Sequence, residues 1–453
     1  MSTHLENLRA LLLSPKSLIL DLSAHENYSH DATEYVSVAA GLLLAESIED
    51  IVTAINFCRD YQIAIVPRGA GTGLSGGCVA SSSSLLISTE RFVQLDIDTT
   101  RQLAIVGPGV FTKVLQDASL AKGLCYPPDP ASYTEASIGG NVAEGAGGLR
   151  CKRFGVTKDY VIGLEAVTIN GEILRTGIFS DNSGFCIGDI LIASEGTLAI
   201  ITRIAVRLIP AIEGSGATIL VAFSQPRDAA QTVADITTSG IIPNILEFLD
   251  GDAAACSNQY EATEGLDKAA AILLLETTET GVAGQVEAIR TICQTNHCSY
   301  LRIESDPAKA EALWKVRRNL SKAIKSVAAY RVSEDVAVPN TKFPDLVGWV
   351  ARENAASSLR INAFGHAGDG NLHVYFVSST GSDSDKRLIE EGVDRLMKET
   401  IRLGGTLTGE HGVGLAKKKY LPLEFSPATI GVMRGIKTVF DSEYLLNPGK
   451  LLP

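Results

Sequence analysis

The sequence predicts an α+β protein of 453 residues, and three observations support this fold class. Short β-branched runs alternate with helical patterns throughout the chain, and several neighbouring strands are separated by tight-turn signals that favour antiparallel pairing. Glycines cluster in the first half, between strands rather than at the start of helices. After Pro210 the pattern changes to regular alternation of strands and helices, which indicates helices packed on one sheet. We therefore expect a domain boundary near residue 211.

In the first half, Ser47 begins a capping pattern for a helix that should run from residue 48 to about residue 60. A hairpin is expected across residues 161–176, because Asn170-Gly171 is a strong signal for a two-residue turn. The other predicted elements are strands at 63–67, 85–88, 103–106 and 198–209, and a helix at 112–122 that ends at Gly123.

In the second half, a strand pair is expected at residues 360–364 and 372–377, around a Gly-Asp-Gly turn. Two long helices are predicted from their apolar spacing, at about 307–327 and at 386–403. The remaining predicted elements are strands at 217–223, 245–249, 271–276 and 300–303, and helices at 228–237 and 286–293.

Composition and charge narrow the classes of function. Forty basic and 52 acidic side chains give a net charge of −12, which disfavours binding to a phosphate backbone, so no nucleic-acid partner is expected. Eight cysteines occur without a C-x-x-C pair, which excludes a zinc ribbon or a ferredoxin-type cluster and suits a reducing compartment. No targeting segment and no transmembrane segment is recognised. We expect a cytoplasmic protein, and leave peripheral membrane contact open.

A glycine-rich loop at residues 67–77 reads PRGAGTGLSGG. Gly71, Gly73 and Gly76 satisfy G-x-G-x-x-G, but a serine-rich stretch and a strand follow where a Rossmann fingerprint requires a helix. The Walker pattern also fails, since no Gly-Lys-Ser/Thr follows. The loop therefore favours a strand–loop–strand whose bare backbone binds an anion, most simply a pyrophosphate. A plain surface loop is the alternative, and the second cluster at 137–148 (SIGGNVAEGAGG) argues against it.

Three of the seven histidines fall in two further glycine-rich motifs. His366 and His373 flank a turn in H-A-G-D-G-N-L-H, and Glu410 precedes His411 in G-E-H-G-V-G. Two imidazoles and a carboxylate form a ligand set for a divalent metal that leaves positions open for substrate. Each histidine alone would more often be a structural residue, but the joint pattern favours a site.

Together these motifs resemble the FAD-dependent oxidoreductases of the vanillyl-alcohol-oxidase type. The resemblance is greatest to their D-2-hydroxy-acid dehydrogenase branch, which includes D-lactate dehydrogenases and a glycolate oxidase component, and it extends from residues 28–34 (YSHDATE) to residues 447–450 (NPGK). It implies a two-part FAD-binding domain of the PCMH type and an α+β substrate-capping domain with an antiparallel sheet. The expected divisions are an N-terminal helical segment at 1–24, the FAD-binding domain at 25–210, the capping domain at 211–430, and a tail at 431–453 that returns to the FAD domain.

The resemblance also implies which residues bind FAD. The first loop would hold the pyrophosphate, and later small-residue segments would line the rest of the cofactor. Thr72 lies in the loop where some relatives attach FAD through a histidine, so non-covalent FAD is expected. The implied residues are Pro67, Arg68, Gly69, Ala70, Gly71, Thr72, Gly73, Leu74, Gly76, Gly77, Pro130, Ser132, Ser137, Gly140, Asn141, Ala146, Gly147, Gly196, Ile201 and Asn447.

In the resembled family, residues matching His366, His373 and Glu410 bind a divalent metal, here zinc or manganese. The residue matching His411 is the catalytic base, and an imidazole can accept a proton near neutral pH. Arg317 matches the arginine that binds the substrate carboxylate, for which a guanidinium is well suited. Read without the resemblance, Arg317 could equally be an exposed helix arginine.

Two departures from the family pattern bear on which substrate is expected. Ser333 and Tyr375 occupy positions where the D-2-hydroxyglutarate branch carries a lysine and an asparagine, so the anchors for a second carboxylate are absent. We therefore expect oxidation of a small D-2-hydroxy acid, D-lactate first and glycolate second, with Tyr375 at the substrate. The alternatives are a glycolate oxidase subunit of a complex, a D-2-hydroxyglutarate dehydrogenase and, from another class, a non-catalytic anion- or metal-binding protein. The electron acceptor is left open among a quinone, a cytochrome and an iron–sulfur partner subunit, and so is a homodimer.

Overall fold

The computed structural model describes residues 2–180, 186–212, 214, 216–260 and 269–453. The chain divides into two compact units. The first unit contains Met1–Gly147, Gly155–Ala211 and Glu410–Pro453, and the second contains Gly148–Phe154 and Ile212–Gly409. Among the helices in these ranges, none has the length and apolar character that a membrane crossing requires.

The described α-helices are, in chain order, α1 (Ser2–Arg9), α2 (Ile48–Asp60), α3 (Thr112–Leu120), α4 (Ile138–Glu144), α5 (Cys151–Phe154), α6 (Thr157–Tyr160), α7 (Gly188–Leu191), α8 (Pro226–Thr238), α9 (Gly251–Tyr260), α10 (Val282–Thr295), α11 (Pro307–Arg318), α12 (Leu320–Val327), α13 (Phe343–Ala356), α14 (Asp383–Arg402), α15 (Leu421–Glu424) and α16 (Pro427–Phe440). The described strands are β1 (Leu18–Ile19), β2 (Gly41–Leu44), β3 (Ala64–Arg68), β4 (Ser84–Ser88), β5 (Leu95–Asp98), β6 (Leu103–Val106), β7 (Leu124–Cys125), β8 (Val161–Thr168), β9 (Ile173–Arg175), β10 (Ala199–Arg207), β11 (Ile209–Pro210), β12 (Thr218–Phe223), β13 (Ile245–Asp250), β14 (Ala271–Glu276), β15 (Cys298–Glu304), β16 (Tyr330–Ala337), β17 (Arg360–Gly365) and β18 (Asn371–Ser378). The predicted α+β class is confirmed.

The first sheet of the first unit has the order β1-β2-β4-β3, and its last three strands are parallel. Helix α2 covers one face with Ile51, Ala54 and Ile55, which belong to the same buried cluster as Ile65 and Leu85 of the sheet. The glycine loop joins the parallel strands β3 and β4 without an intervening helix. The predicted strand–loop–strand is therefore confirmed, and the loop runs along the end of a rigid sheet.

The second sheet of this unit is antiparallel, in the order β5-β6-β10-β8-β9. The hairpin β8–β9 turns at Asn170-Gly171, as its sequence predicts. A separate hydrophobic cluster packs beneath this sheet, with Ile204 and Val206 from β10 and with Ile436 of α16 at its edge. Two sheets with two cores therefore build the first unit, and both supply residues to the site described below.

The second unit contains one antiparallel sheet of seven strands, in the order β15-β12-β14-β13-β17-β18-β16. Its hydrophobic core joins sheet residues to helices α9, α11 and α12, with Trp314 and Leu320 fully or nearly buried. Strands β13, β17, β18 and β16 lie next to one another, although β13 and β18 are more than one hundred residues apart in sequence. Residues from distant parts of the chain therefore share one sheet face.

The structure corrects several predictions. The small-residue segment after Ser137 is not only loop, because the Ser137 hydroxyl accepts the Gly140 N–H and starts helix α4. The helix predicted at 307–327 is divided at Asn319. Strand β16 is absent from the predicted elements, because Glu334 and Asp335 interrupt its apolar pattern, yet both are buried. Glu410–Pro453 lies in the first compact unit, and the division of the chain at residue 430 stays a prediction.

Candidate active site

The glycine loop forms one wall of a solvent-open cleft in the first unit. The cleft is lined by all but two of the residues proposed from sequence to bind FAD. The exceptions are Gly76, whose N–H donates to Asp31, and Asn447, which lies behind the loop. The cleft is also lined by Thr89, Pro108 and Ser194, which belong to none of the sequence motifs described above.

At Gly69 and Gly71 the loop backbone is bare because a side chain cannot be accommodated there. A Cβ on Gly69 would come within 2.5 Å of the Ser137 hydroxyl oxygen. Gly71 has φ +74°, and a Cβ there would collide with the guanidinium of Arg68, which is held by a 2.8 Å bond to the Asn27 carbonyl. A ligand can therefore approach backbone N–H groups directly, an arrangement that suits a pyrophosphate. The cradle fits a dinucleotide cofactor.

Two cleft residues, Glu144 and Glu195, are buried carboxylic acids. Burial raises the pKa of Glu144, and the nearby Glu195 and Asp31 raise it further. Burial also raises the pKa of Glu195, opposed by the backbone N–H groups of Val413 and Gly414, which donate to its two oxygens at 2.7 and 2.6 Å. Glu195 therefore fixes the backbone just after the G-E-H-G motif.

The C-terminal segment supports the same loop from behind. The Asn447 amide donates to the carbonyls of Gly77 (2.9 Å) and Glu195 (2.7 Å). The Lys450 ammonium donates to the carbonyls of Gly77 (3.0 Å) and Val79 (2.8 Å), and burial lowers the pKa of Lys450 to about 8. The terminal motif therefore has a structural role at the cleft, which explains why Asn447 is not part of its lining.

Glu410 and His411 also line this cleft, and both side chains are half-buried. The following residue, Gly412, has φ +86°, and a Cβ there would come within 2.5 Å of Glu144 and 3.0 Å of Glu195. The glycine thus allows the backbone to pass close to two carboxylic acids. This passage brings an imidazole and a carboxylate to the wall of the proposed flavin site.

His366 and His373 lie together in the second unit, on either side of a turn between β17 and β18. Their ring centroids are 5.4 Å apart, the rings are perpendicular, and each side chain is only 4% exposed. The turn requires Gly370, which has φ +72° and faces the Val338 carbonyl. Two buried imidazoles at this spacing could contribute ligands to one metal ion.

A buried glutamate from β13 connects His366 with Arg317. Glu247 Oε1 lies 2.6 Å from His366 Nδ1, and Oε2 accepts a 2.5 Å bond from Arg317 Nε. Burial raises the pKa of Glu247, but the neighbouring His366 and Arg317 outweigh this effect and hold that pKa below its usual range. Arg317 is 7% exposed and stacks over the Phe364 ring at 4.8 Å, so it is not a surface arginine.

Asp335 in β16 lies beside the other histidine. In the sheet register it is paired with His373, and its Oδ1 lies 3.8 Å from His373 Nδ1. Its Oδ2 accepts bonds from the Thr408 hydroxyl (3.0 Å) and the Gly409 N–H (2.8 Å). Asp335 therefore fixes the backbone immediately before Glu410.

The proposed substrate residue Tyr375 is one step farther along the same sheet face. It is paired with Ser333 and Asn362 on the neighbouring strands, and its ring stacks on Phe364 at 5.1 Å and 16°. Phe364 is thus stacked against both Tyr375 and Arg317. Beside Arg317 the sheet therefore carries the aromatic rings of Phe364 and Tyr375, with Ser333 paired to Tyr375.

Two family models match the chain. Residues 39–177 match the FAD binding domain, and residues 213–451, more than half of the chain, match FAD linked oxidases, C-terminal domain. The glycine loop and the cleft helix α4 lie inside the first match, and both histidine motifs lie inside the second. The chain belongs to the FAD-linked D-2-hydroxy-acid dehydrogenase family.

Relatives in this family align over nearly the whole chain. The sequence is 37% identical to glycolate oxidase subunit GlcD of Bacillus subtilis, covering 94% of this chain and 91% of the relative. It is 30% identical to D-lactate dehydrogenase of Anaerostipes hadrus, covering 97% and 95%. It is also 30% identical to D-2-hydroxyglutarate dehydrogenase of Xanthomonas citri, covering 94% and 92%. The chain is thus a flavin-dependent oxidoreductase.

Solved structures support the fold. The structure of p-cresol methylhydroxylase matches with a TM-score of 0.78 at 15% identity, covering 99% of this chain and 96% of that one. Alkyldihydroxyacetonephosphate synthase matches with a TM-score of 0.75 at 17% identity, covering 99% and 86%. At these identities the likeness concerns the fold alone, and it agrees with the predicted PCMH-type FAD-binding domain and α+β second domain.

We predict that Gly71→Ala weakens FAD binding about tenfold or more, a change of roughly 1.4 kcal/mol. The added methyl would push the Arg68 guanidinium into the cradle and force an alanine into a left-handed conformation. Gly123→Ala is the matched control, because Gly123 has φ +73° in the same unit but open space around it. Both variants incur the conformational cost of about 1–2 kcal/mol, and only the first disturbs the loop. Titration of apoprotein with FAD, followed by flavin fluorescence, measures the difference. Equal FAD affinity in the two variants would contradict the assignment of the loop.

Proposed function

We propose that the protein oxidises a small D-2-hydroxy acid to the 2-oxo acid with FAD, with D-lactate the preferred substrate and glycolate the second. The observation that supports this proposal most strongly is the burial and hydrogen bonding of Arg317. It is buried, its Nε is bonded to Glu247, and in the described part of the chain neither terminal nitrogen has another partner. Two parallel N–H groups on a fixed guanidinium are suited to one carboxylate.

His411 is the proposed base for the hydroxyl proton. Its imidazole lies on the wall of the flavin cleft, and the Glu195 bonds to Val413 and Gly414 fix the backbone that carries it. Proton removal by a positioned imidazole is effective near neutral pH. FAD held in the cleft would supply the two-electron acceptor for the α-hydrogen and its electron pair. Because Thr72 is at the position where a covalent link would need histidine, we propose that FAD is held non-covalently.

His366, His373 and Glu410 are the proposed ligands of a divalent metal, zinc or manganese. The donor chemistry fits, since two neutral imidazoles and a carboxylate are ligands that such ions accept. A cation held there would stabilise negative charge on the hydroxyl oxygen of the substrate. Asp335 and Glu195 anchor the backbone on either side of Glu410.

A small substrate is proposed because of what surrounds Arg317. Phe364 and Tyr375 present stacked rings, and Ser333 supplies only a hydroxyl. At Ser333 and Tyr375 a second substrate carboxylate would find neither a lysine nor an asparagine, and a lost polar partner of that kind costs about 1–3 kcal/mol. This reasoning ranks D-2-hydroxyglutarate below D-lactate, although a relative named for that substrate is 30% identical.

A second arrangement is supported by the relatives named glycolate oxidase subunit GlcD, from Bacillus subtilis and Escherichia coli. In that arrangement the same reaction occurs within a complex, and a partner protein receives the electrons. Purification of the protein from its native cells distinguishes the two, since a complex would bring a stoichiometric redox partner with the flavoprotein.

The substrate proposal is tested by anaerobic mixing of the FAD-loaded protein with a panel of D- and L-2-hydroxy acids. D-lactate should bleach the flavin band fastest, and L-lactate should not bleach it. D-2-hydroxyglutarate should react with a kcat/KM about ten- to a hundredfold lower, corresponding to the 1–3 kcal/mol above. This readout needs no electron acceptor. A higher kcat/KM for D-2-hydroxyglutarate would refute the argument from Ser333 and Tyr375.

The proposed division between ligand and base predicts different consequences for two histidine substitutions. His373→Ala should lose the metal and raise KM, because the hydroxy acid loses the cation that binds its oxygens. His411→Ala should retain metal and FAD but lower kcat by a factor of about 10²–10⁴, typical of a lost general base. Metal analysis with steady-state kinetics separates the two. Loss of metal in His411→Ala and its retention in His373→Ala would reverse the assignment.

A further inference from the structure

The buried carboxylate of Glu247 contacts two proposed functional groups and nothing in the sequence marks it. Glu247 is fully buried in the middle of β13, next to β17. One oxygen faces His366 Nδ1 and the other receives the Arg317 Nε–H. Glu247 is not among the residues proposed to contact substrate or flavin, so any influence on the reaction acts through these two neighbours.

The chemistry of this bridge determines where the His366 proton lies. A guanidinium only donates, so the Glu247 oxygen facing Arg317 must accept. A carboxylate held by that charge is an acceptor at its second oxygen as well, and the 2.6 Å contact with His366 Nδ1 then requires a proton on Nδ1. In a neutral imidazole the lone pair is consequently on Nε2. Histidines that bind metals are commonly fixed in this way by a carboxylate on the opposite nitrogen.

We propose that Glu247 is a positioning residue that holds His366 as the Nδ1–H tautomer, which places the lone pair of the neutral ring on Nε2 as the nitrogen that can bind a metal ion, and that Glu247 fixes the orientation of Arg317. This inference rests on the proposed function, in which His366 is a metal ligand and Arg317 binds the substrate carboxylate. One side chain then sets the geometry of the metal ligand and of the carboxylate-binding group together.

The contact between Glu247 and His366 is not repeated between Asp335 and His373. Asp335 lies 3.8 Å from His373 Nδ1, beyond hydrogen-bond distance, and its oxygens are bonded to Thr408, Gly409 and Asn371. Its role is to hold the backbone before Glu410. Of these two carboxylate–histidine pairs, the pair of Glu247 and His366 has the short contact that can dictate a tautomer.

Glu247→Gln tests the inference because the side chains are nearly equal in size but differ in hydrogen bonding. The glutamine oxygen must face Arg317, which only donates, so the amide NH₂ faces His366 Nδ1. Nδ1 must then accept, and the imidazole proton moves to Nε2. Glu165→Gln is the matched control: Glu165 is also buried and bonded to an arginine Nε, that of Arg175 at 2.6 Å, but it contacts neither histidine.

The primary measurement is the tautomer of His366 in metal-free protein labelled with ¹⁵N-histidine, at a pH where the ring is neutral. Two-bond ¹H–¹⁵N correlation spectra identify the protonated nitrogen, and His366→Gln assigns the signal by removing it. Wild type and Glu165→Gln should show Nδ1–H, and Glu247→Gln should show Nε2–H. An Nε2–H ring in wild type, or an unchanged tautomer in Glu247→Gln, would overturn the inference. The wild-type spectrum decides the question even if Glu247→Gln folds poorly.

Zinc affinity provides the second readout. Glu247→Gln should bind Zn²⁺ about 10–100-fold more weakly, the usual effect of losing the outer partner of a metal-binding histidine, and Glu165→Gln should match wild type. Equal affinity in all three proteins would overturn the role assigned to Glu247. If wild type bound no zinc or manganese while His366 kept its Nδ1–H form, the proposed metal chemistry would fail and the tautomer assignment would stand. The two failures are thus distinguishable.

Discussion

The structure of the site depends on one constraint: a carboxylate removed from water must be surrounded by donors. Each unit contains such a carboxylate beside groups proposed to act on the substrate. In the first unit Glu195 accepts two backbone N–H bonds and fixes the segment that carries His411. In the second unit Glu247 is held between Arg317 and His366. The hydrogen bonds that satisfy these buried carboxylates are the same bonds that orient the proposed catalytic groups.

A second constraint is the absence of side chains at glycine positions of the loop, which leaves space for the flavin cleft. Gly69 and Gly71 leave the loop backbone open because any Cβ would meet Ser137 or Arg68. The loop is fixed by the parallel strands on both sides and by Asn447 and Lys450, which donate to its far end. An open backbone on a rigid support can bind an anionic cofactor without reorganising, which favours tight and oriented binding.

The features that the sequence predicts are local ones. Three of these features are the glycine loop, the hairpin at Asn170-Gly171 and the His366–His373 turn. Each depends on residues within a dozen positions of one another, so its pattern can be recognised in the sequence alone. Glu247 is 119 residues from His366, and Glu195 is 218 residues from Val413, so no spacing rule connects them. The burial of Arg317 is ambiguous in the sequence for the same reason, because only the folded sheet supplies Glu247 and Phe364. Helix α4 is not predicted from the sequence because its glycines are poor helix formers. In the structure the N-terminal cap at Ser137 outweighs their low helix propensity.

The central claim is that His366, His373 and Glu410 hold one divalent metal ion beside a base at His411. Crystals of the FAD-loaded protein, grown with Zn²⁺ and measured on both sides of the zinc absorption edge, test this claim most directly. The account predicts a single strong anomalous peak bonded to Nε2 of His366, to His373 and to the Glu410 carboxylate, with His411 outside the coordination sphere. A peak bonded to His366 through Nδ1, a peak that includes His411 in place of Glu410, or no peak at these histidines in zinc- and manganese-loaded crystals would contradict it.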